Sequence, residues 1–203
     1  IGPSPIKNSV FGATLGYCLL IWVQMAHHID AAFVIAIVLL LANGLLRDYY
    51  NMAYLDELTG LPQRRALNEQ MLALGRNYTL AMLDVDHFKK FNDTHGHDIG
   101  DQVLQMVASQ VKKVTGGGKA FRYGGEEFTI LLPETQIGEA AKVAERIQKK
   151  LRETKFVSIK GEVSYITVSI GITDYCSNED LSSFILRADK AMYLSKDKGK
   201  NSI

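Results

Sequence analysis

Two apolar runs without a single charge lie near the start of the chain, residues 9–24 and 31–46, parted by Met25-Ala26-His27-His28-Ile29-Asp30. Each holds about 16 residues, short of the ~20 that span a bilayer, so a membrane hairpin and a buried helical hairpin both fit the pattern. Trp22 near the end of one run, and Tyr49 and Tyr50 behind the other, stand where aromatic side chains sit at a membrane boundary. Lys7 and Arg47 flank the pair on the same side, which puts both ends inside and the histidine loop outside. Two runs without a small-residue cleavage pattern do not read as a removable leader. Helical spacing then continues over 45–58, with Leu45, Tyr49 and Met52 four and three residues apart, suiting a short signalling helix that pairs with its copy.

Beyond residue 55 the pattern alternates. Residues 63–73, 100–113, 139–152 and 181–196 read as helices, and 78–84 as a short buried strand. The runs 119–123 and 128–132 flank Gly124-Gly125-Glu126-Glu127 as a hairpin, its glycines supplying positive φ at the turn. Residues 163–173, rich in β-branched side chains, read as one central strand. The expectation is an α+β fold, a mixed, mainly antiparallel sheet flanked by helices and preceded by the two-helix hairpin. About 150 residues are enough to bury one core. A net charge of +1 argues against bulk polyanion binding, and so against a nucleic-acid polymer as partner. Cys18 in an apolar run and Cys176 far downstream suit a reducing cytosol rather than a disulfide. An isoleucine at position 1 reads as a fragment, with further spans or a sensor upstream.

The chemistry gathers in two acidic elements. Asp84 ends the buried strand at Asp84-Val85-Asp86, and Glu126 and Glu127 follow the Gly-Gly pair. If the strand and the hairpin are neighbours, Asp84 and the glutamates converge, and their repulsion calls for cations. Two Mg²⁺ ions roughly 3.5–4 Å apart would activate an attacking oxygen and steady a leaving pyrophosphate. The plainer alternatives are that Asp84 and Asp86 cap the next helix and that the glutamates are solvated turn residues.

Asp56-Glu57-Leu58-Thr59-Gly60-Leu61, Asp84 to Lys89, Phe91-Asn92-Asp93, Gly96-His97, Gly100-Asp101, Gly124 to Phe128 and Ala191-Met192-Tyr193 with Lys196 occur in that order. The set resembles the GGDEF domain, the catalytic domain of diguanylate cyclases, here in a Gly-Gly-Glu-Glu-Phe form, from about Leu55 to the C-terminus. The resemblance implies a sheet like that of nucleotidyl cyclases and polymerase palms, and condensation of two GTP into cyclic di-GMP with release of two pyrophosphates. It implies two divalent metals, Mg²⁺ or Mn²⁺, on Asp84, the Val85 carbonyl, Glu126 and Glu127. Glu126 would take the proton of the ribose 3′-hydroxyl. Asn92 and Asp101 would grip guanine, whose adjacent N1–H and N2–H₂ donors suit a carboxylate. Relatives making mixed cyclic GMP-AMP carry serine at the position of Asp101. Asn92 as a turn residue and Asp101 as a helix cap are the plainer alternatives.

His87, Phe88 and Lys89 resemble the turn that offers backbone N–H groups and a lysine to the β and γ phosphates, and an amide nest suits an anion. Lys196 and Lys200 match the late basic pair that reaches the triphosphate, and His97 lines the nucleotide site. Lys190 and Lys198 read equally well as a solvated face. An Arg-x-x-Asp product-inhibition site is expected to be missing, since its positions are Thr115 and Gly118. The resemblance implies a homodimer, one GTP per domain, and a cytoplasmic catalytic domain on the inner membrane of a bacterium. The organisation expected is a membrane region (1–46), a helical linker (47–58) and a catalytic domain (55–203). His27, His28 and Asp30 fit a metal sensor or a plain polar loop. The rival readings are a non-catalytic nucleotide-binding or interaction module, and a cyclase making a different cyclic nucleotide.

Overall fold

The computed structural model of the chain describes residues 5–24, 31–74, 77–113, 117–157, 163–176 and 179–203. Residues Ile1–Ala53 and Tyr54–Ile203 form two compact units. In the first, α1 (Pro5–Gln24) and α2 (Ala31–Tyr54) carry the apolar runs. Gly16 lies against Ile37 and Gly44 against Ser9, contacts that run in opposite directions along the two helices and describe an antiparallel pair. Phe11, Trp22, Val38 and Leu40 stay exposed. Ala31–Tyr54 is long and apolar enough to cross a membrane, while the apolar stretch of α1, Ser9–Val23, is shorter. The helical spacing stops at Tyr54, four residues before the expected end at Leu58: Asp56 accepts from Gly60 N–H (2.8 Å) and Thr59 N–H (2.8 Å), closing a turn where the helix would have continued. His27, His28 and Asp30 lie outside the described residues.

The second unit runs α3 (Arg64–Ala73), β1 (Tyr78–Val85), α4 (Phe88–His95), α5 (His97–Val111), β2 (Lys119–Gly124), β3 (Glu127–Pro133), α6 (Ile137–Glu153), β4 (Lys155–Val157), β5 (Val163–Tyr165), β6 (Val168–Asp174) and α7 (Leu181–Asp197). The main sheet has the order β2-β3-β1-β6 and all its pairs are antiparallel. Its parallel element, among the described residues, is a lone bridge between Gln63 and Arg122.

Two-residue periodicity along β1 divides the core. Ala81, Leu83 and Val85 pack on one face with Val103, Val107, Ala144 and Ile147 of α5 and α6. Leu80 and Met82 pack on the other with Leu67 of α3 and Phe184, Ala188 and Met192 of α7. Gly171 lets α7 approach β6 this closely, because a Cβ there would strike Met192 N, Ala188 O (2.6 Å) and Ala191 C (2.6 Å). The expected single strand over 163–173 is two. Residues Val163–Tyr165 pair with β4 in a separate ribbon, and Val168–Asp174 pair with β1. The break falls at Ile166 and Thr167, where the β-branched pattern runs on unbroken and carries no signal of a change of sheet.

Candidate active site

The same periodicity that sorts the core aims the acids. Asp84 follows Leu80 and Met82 on the α3/α7 face of β1, and Glu127 of β3 lies directly across from it. Opposed residues of an antiparallel pair share a face, so the two carboxylates point toward α7 together. Glu126 occupies the hairpin turn just before β3, and its carbonyl accepts from Val85 N–H at 3.3 Å. Neither Gly124 nor Gly125 has positive φ, which corrects the expected role of the pair. The register shifts between Arg122 and Gly124, Gly125 and Glu126 form the turn, and a Cβ on Gly124 would come within 3.2 Å of Glu127 Oε2.

Burial pushes the Asp84 carboxyl above its ordinary value, Lys196 pulls it back, and the charge of Asp86 adds to the rise. Lys196 Nζ stands 2.8 Å from the buried Asp84 Oδ1, an ion pair that offsets its charge. Burial raises Glu126 and Glu127 too, with Asp84 the next cause for both and Asp189 adding to Glu127. Among the described residues no three His, Cys, Asp or Glu side chains form a ready-made metal cluster. The donors nonetheless fit a hard divalent cation, being carboxylate oxygens with surplus negative charge and an unsaturated buried atom.

Asn92 and Asp101 sit on α4 and α5. Asn92 lies inside α4 and its carbonyl accepts from Gly96 N–H (2.8 Å), so it is no turn residue; α5 begins at His97, so Asp101 is no cap. Asn92 Oδ1 is buried without a partner, directly above Gly100, where any Cβ would strike it and come within 3.2 Å of Phe88 Cζ. Asp101 and His97 are exposed. A cleft of about 390 Å³ borders Glu127 with Arg64, Tyr123 and Asp189 in its wall; Asn92 and Asp101 take no part in it.

His87, exposed and left-handed at φ 59°, opens α4 with no side-chain cap. Phe88 is buried in the core, so only its backbone is left for a ligand, and Lys89 is exposed. Lys200 Nζ lies 3.2 Å from His87 Nδ1, and both Lys196 and Lys200 act on Asp84, so the late basic pair meets at the end of β1. Lys190 and Lys198 are exposed. Gly118 precedes β2, and Thr115 lies outside the described residues.

Asp56 and Arg122 have no role in the expectations drawn from the sequence. Arg122 Nη1 pairs with Asp56 Oδ1 at 2.7 Å while Nη2 donates to the Gly125 carbonyl at 2.8 Å, tying the hairpin tip to the turn after α2. Burial pushes Asp56 up, but hydrogen bonds from Thr59 and Arg122 outweigh it and hold the carboxyl below its ordinary value. Partners 66 residues apart leave no mark on a single sequence.

Residues 53–202 match the model of the family described as "Diguanylate cyclase, GGDEF domain". The chain is 37% identical over 162 residues to the response regulator PleD of Caulobacter vibrioides, covering 75% of this chain and 36% of that protein. It is 35% identical over 172 residues to the uncharacterized protein YhcK of Bacillus subtilis, covering 80% and 48%. It thus spans about half or less of these curated relatives. Among solved structures it is similar to the coiled coil and GGDEF domain of DgcB from Caulobacter crescentus in complex with c-di-GMP, at TM-score 0.74 and 34% identity, covering 79% of this chain and 90% of that one. It is also similar to diguanylate cyclase SiaD of Pseudomonas aeruginosa, solved with its activator SiaC, at TM-score 0.70 and 32% identity, covering 97% and 80%. A family match over three quarters of the chain, on a sheet that sets Asp84 against Glu127, makes this chain a member of the GGDEF diguanylate cyclase domain family.

Proposed function

We propose that the chain is the catalytic part of a membrane-anchored diguanylate cyclase that condenses two GTP into cyclic di-GMP. The observation that carries the reading is the pairing of Asp84 with Glu127 across β1 and β3, with Lys196 on the same carboxylate. Residues 55–203 would be the catalytic domain, 47–58 a signalling linker whose helical part ends at Tyr54, and 1–46 an anchor in a bacterial inner membrane, with the catalytic domain in the cytoplasm.

Asn92 and Asp101 hold guanine: the orphaned Asn92 Oδ1 gains a donor, and the Asp101 carboxylate accepts the N1–H and N2–H₂ pair that adenine lacks. A polar site of this kind discriminates by factors on the order of 10⁴. Lys196, Lys200, Lys89 and the backbone N–H groups of His87 and Phe88 hold the triphosphate, with His97 beside it. Mg²⁺ or Mn²⁺, two per site, would supply Lewis-acid charge at the phosphates, held by Asp84, the Val85 carbonyl, Glu126 and Glu127. The Glu126 carboxylate accepts the proton of the ribose 3′-hydroxyl. The freed oxygen bonds to the α-phosphorus of the second GTP and pyrophosphate leaves; repeating the step closes the ring. Two domains face each other with one GTP apiece, so alignment of the dimer controls the rate. Product inhibition through Thr115 and Gly118 is not expected.

Incubation with GTP and Mg²⁺, with ATP in parallel and products identified by mass spectrometry, tests this. Cyclic di-GMP from GTP alone is expected. If none forms, even with a fused dimerising domain, the chain is a binding module instead.

A further inference from the structure

Asp86 is one of the few buried acids of the second unit, and nothing in the nucleotide site described above uses it. Its carboxylate is taken up from three directions. Ser169 Oγ donates to Oδ1 at 2.7 Å, Thr167 Oγ1 donates to Oδ2 at 2.8 Å, and the backbone N–H of Asn201 donates to Oδ2 at 3.0 Å. Its own N–H donates to the Thr167 carbonyl at 2.9 Å. A carboxylate so occupied is turned inward and has little capacity left for a metal or a substrate.

The bond from Asn201 N–H holds the chain after α7, while those to Ser169 and Thr167 tie Asp86 to β6 and the residue before it. The tail folds back along β6, where Ile170 N–H donates to the Ser202 carbonyl at 3.0 Å and Ser202 Oγ donates to the Ser195 carbonyl at 2.6 Å. Four non-glycine residues have positive φ among the described residues, and three of them meet at this point: His87 (59°), Lys200 (65°) and Asn201 (46°). Such conformations persist only where surrounding bonds impose them, and they gather where a side chain must be aimed. Here the aimed side chain is Lys200, whose ammonium reaches His87 and bears on Asp84.

We infer that Asp86 is a positioning residue that locks the C-terminal tail to the end of β1 and so delivers Lys200 to the phosphates of the nucleotide. This rests on the reading of Lys200 as a triphosphate ligand. Asp86 holds the tail through a hydrogen bond. An asparagine can keep the bond to Asn201 N–H with its oxygen and donate its amide to Ser169 Oγ, whereas an alanine keeps neither.

The test is calorimetric affinity of the full chain, with Mg²⁺, for α,β-methylene-GTP, which cannot release pyrophosphate, and for GMP, which lacks the outer phosphates. Asp86→Ala is expected to weaken the triphosphate analogue roughly tenfold, the scale of one bond to a charged group, and to leave GMP within about twofold. Asp86→Asn should restore most of the loss. Asp86→Ala in a Lys200→Ala background should add nothing, because the residue it positions is already gone. Thr167→Val removes one donor without leaving a buried acid unfilled and should give a smaller loss in the same direction. The inference is overturned if GMP weakens equally, if Asp86→Asn is as poor as Asp86→Ala, or if the losses at Asp86 and Lys200 add. Wild-type chain that binds neither nucleotide would sink the nucleotide reading itself, and this inference with it. Wild-type binding with Asp86→Ala unchanged would sink only the role of Asp86.

Discussion

Gly100→Ala separates stability from ligand binding at one atom. Gly100 lies in the first turns of α5, where alanine is the better helix former by about 1 kcal/mol. The new methyl, however, would occupy the place of Asn92 Oδ1 and press on Phe88 Cζ at 3.2 Å. The backbones of α4 and α5 are fixed by their own hydrogen bonds, so Asn92 must leave its rotamer, at about 0.5–1.5 kcal/mol. Gain and strain nearly cancel in the free protein, and the unfolding midpoint should move little. GTP has no such compensation: it loses the Asn92 bond, about 0.5–1.5 kcal/mol, or must force the strained rotamer back. Either route costs about 0.5–1.5 kcal/mol, a loss of about 2- to 13-fold in affinity. Thermal unfolding and a GTP isotherm on the same sample read both quantities. Wild-type affinity in a folded Gly100→Ala variant would refute the assignment of Asn92 to the base. So would a Gly100→Ala/Asn92→Ala double variant whose losses add, since both changes are argued to remove one interaction.

Glu127→Gln should abolish cyclic di-GMP formation, read by mass spectrometry, while folding stays intact or improves, because it removes one of three mutually repelling carboxylates. Arg122→Ala should lower unfolding free energy in urea by about 2 kcal/mol, since it strips the half-buried Asp56 of its ion pair and the Gly125 carbonyl of its donor; an unchanged midpoint would mean that this bridge does not hold the hairpin. Gly171→Ala drives a methyl into the backbone of α7, where no side-chain rotation relieves it, and should cost about 3 kcal/mol or more together with the placement of Lys196. The raised carboxyls of Asp84, Glu126 and Glu127 mean that the native state binds protons more tightly than the unfolded chain. Stability from these groups therefore falls as pH rises from ordinary carboxylate values through their raised ones, and Mg²⁺ should reverse the trend in thermal unfolding. Asp56, held low, works the other way and loses its contribution only as pH drops through its depressed value. A Mg²⁺ effect that is the same at both ends of the range would refute the carboxylate assignment.

Much of this protein was legible because its signals are local. Two-residue alternation along Tyr78–Val85 puts Asp84 on the same face as Leu80 and Met82, whatever packs there. The spaced motifs pointed to the family, and helical periodicity located α3, α5, α6 and α7 to within a few residues. Tertiary structure decided what depends on residues distant in sequence. The order β2-β3-β1-β6 brings Glu127 opposite Asp84, and no local preference encodes that neighbour. Residues 163–173 divide between two sheets because β-branched alternation satisfies a strand in either one. The hairpin glycines, expected to supply positive φ, do not have it, and the register shift between Arg122 and Gly124 is not written in the local sequence. Asp86 with Asn201, and Asp56 with Arg122, meet across 115 and 66 residues. A sequence states each side chain's chemistry and its face on a helix or strand, but the partner that saturates it is chosen only when the whole sheet closes.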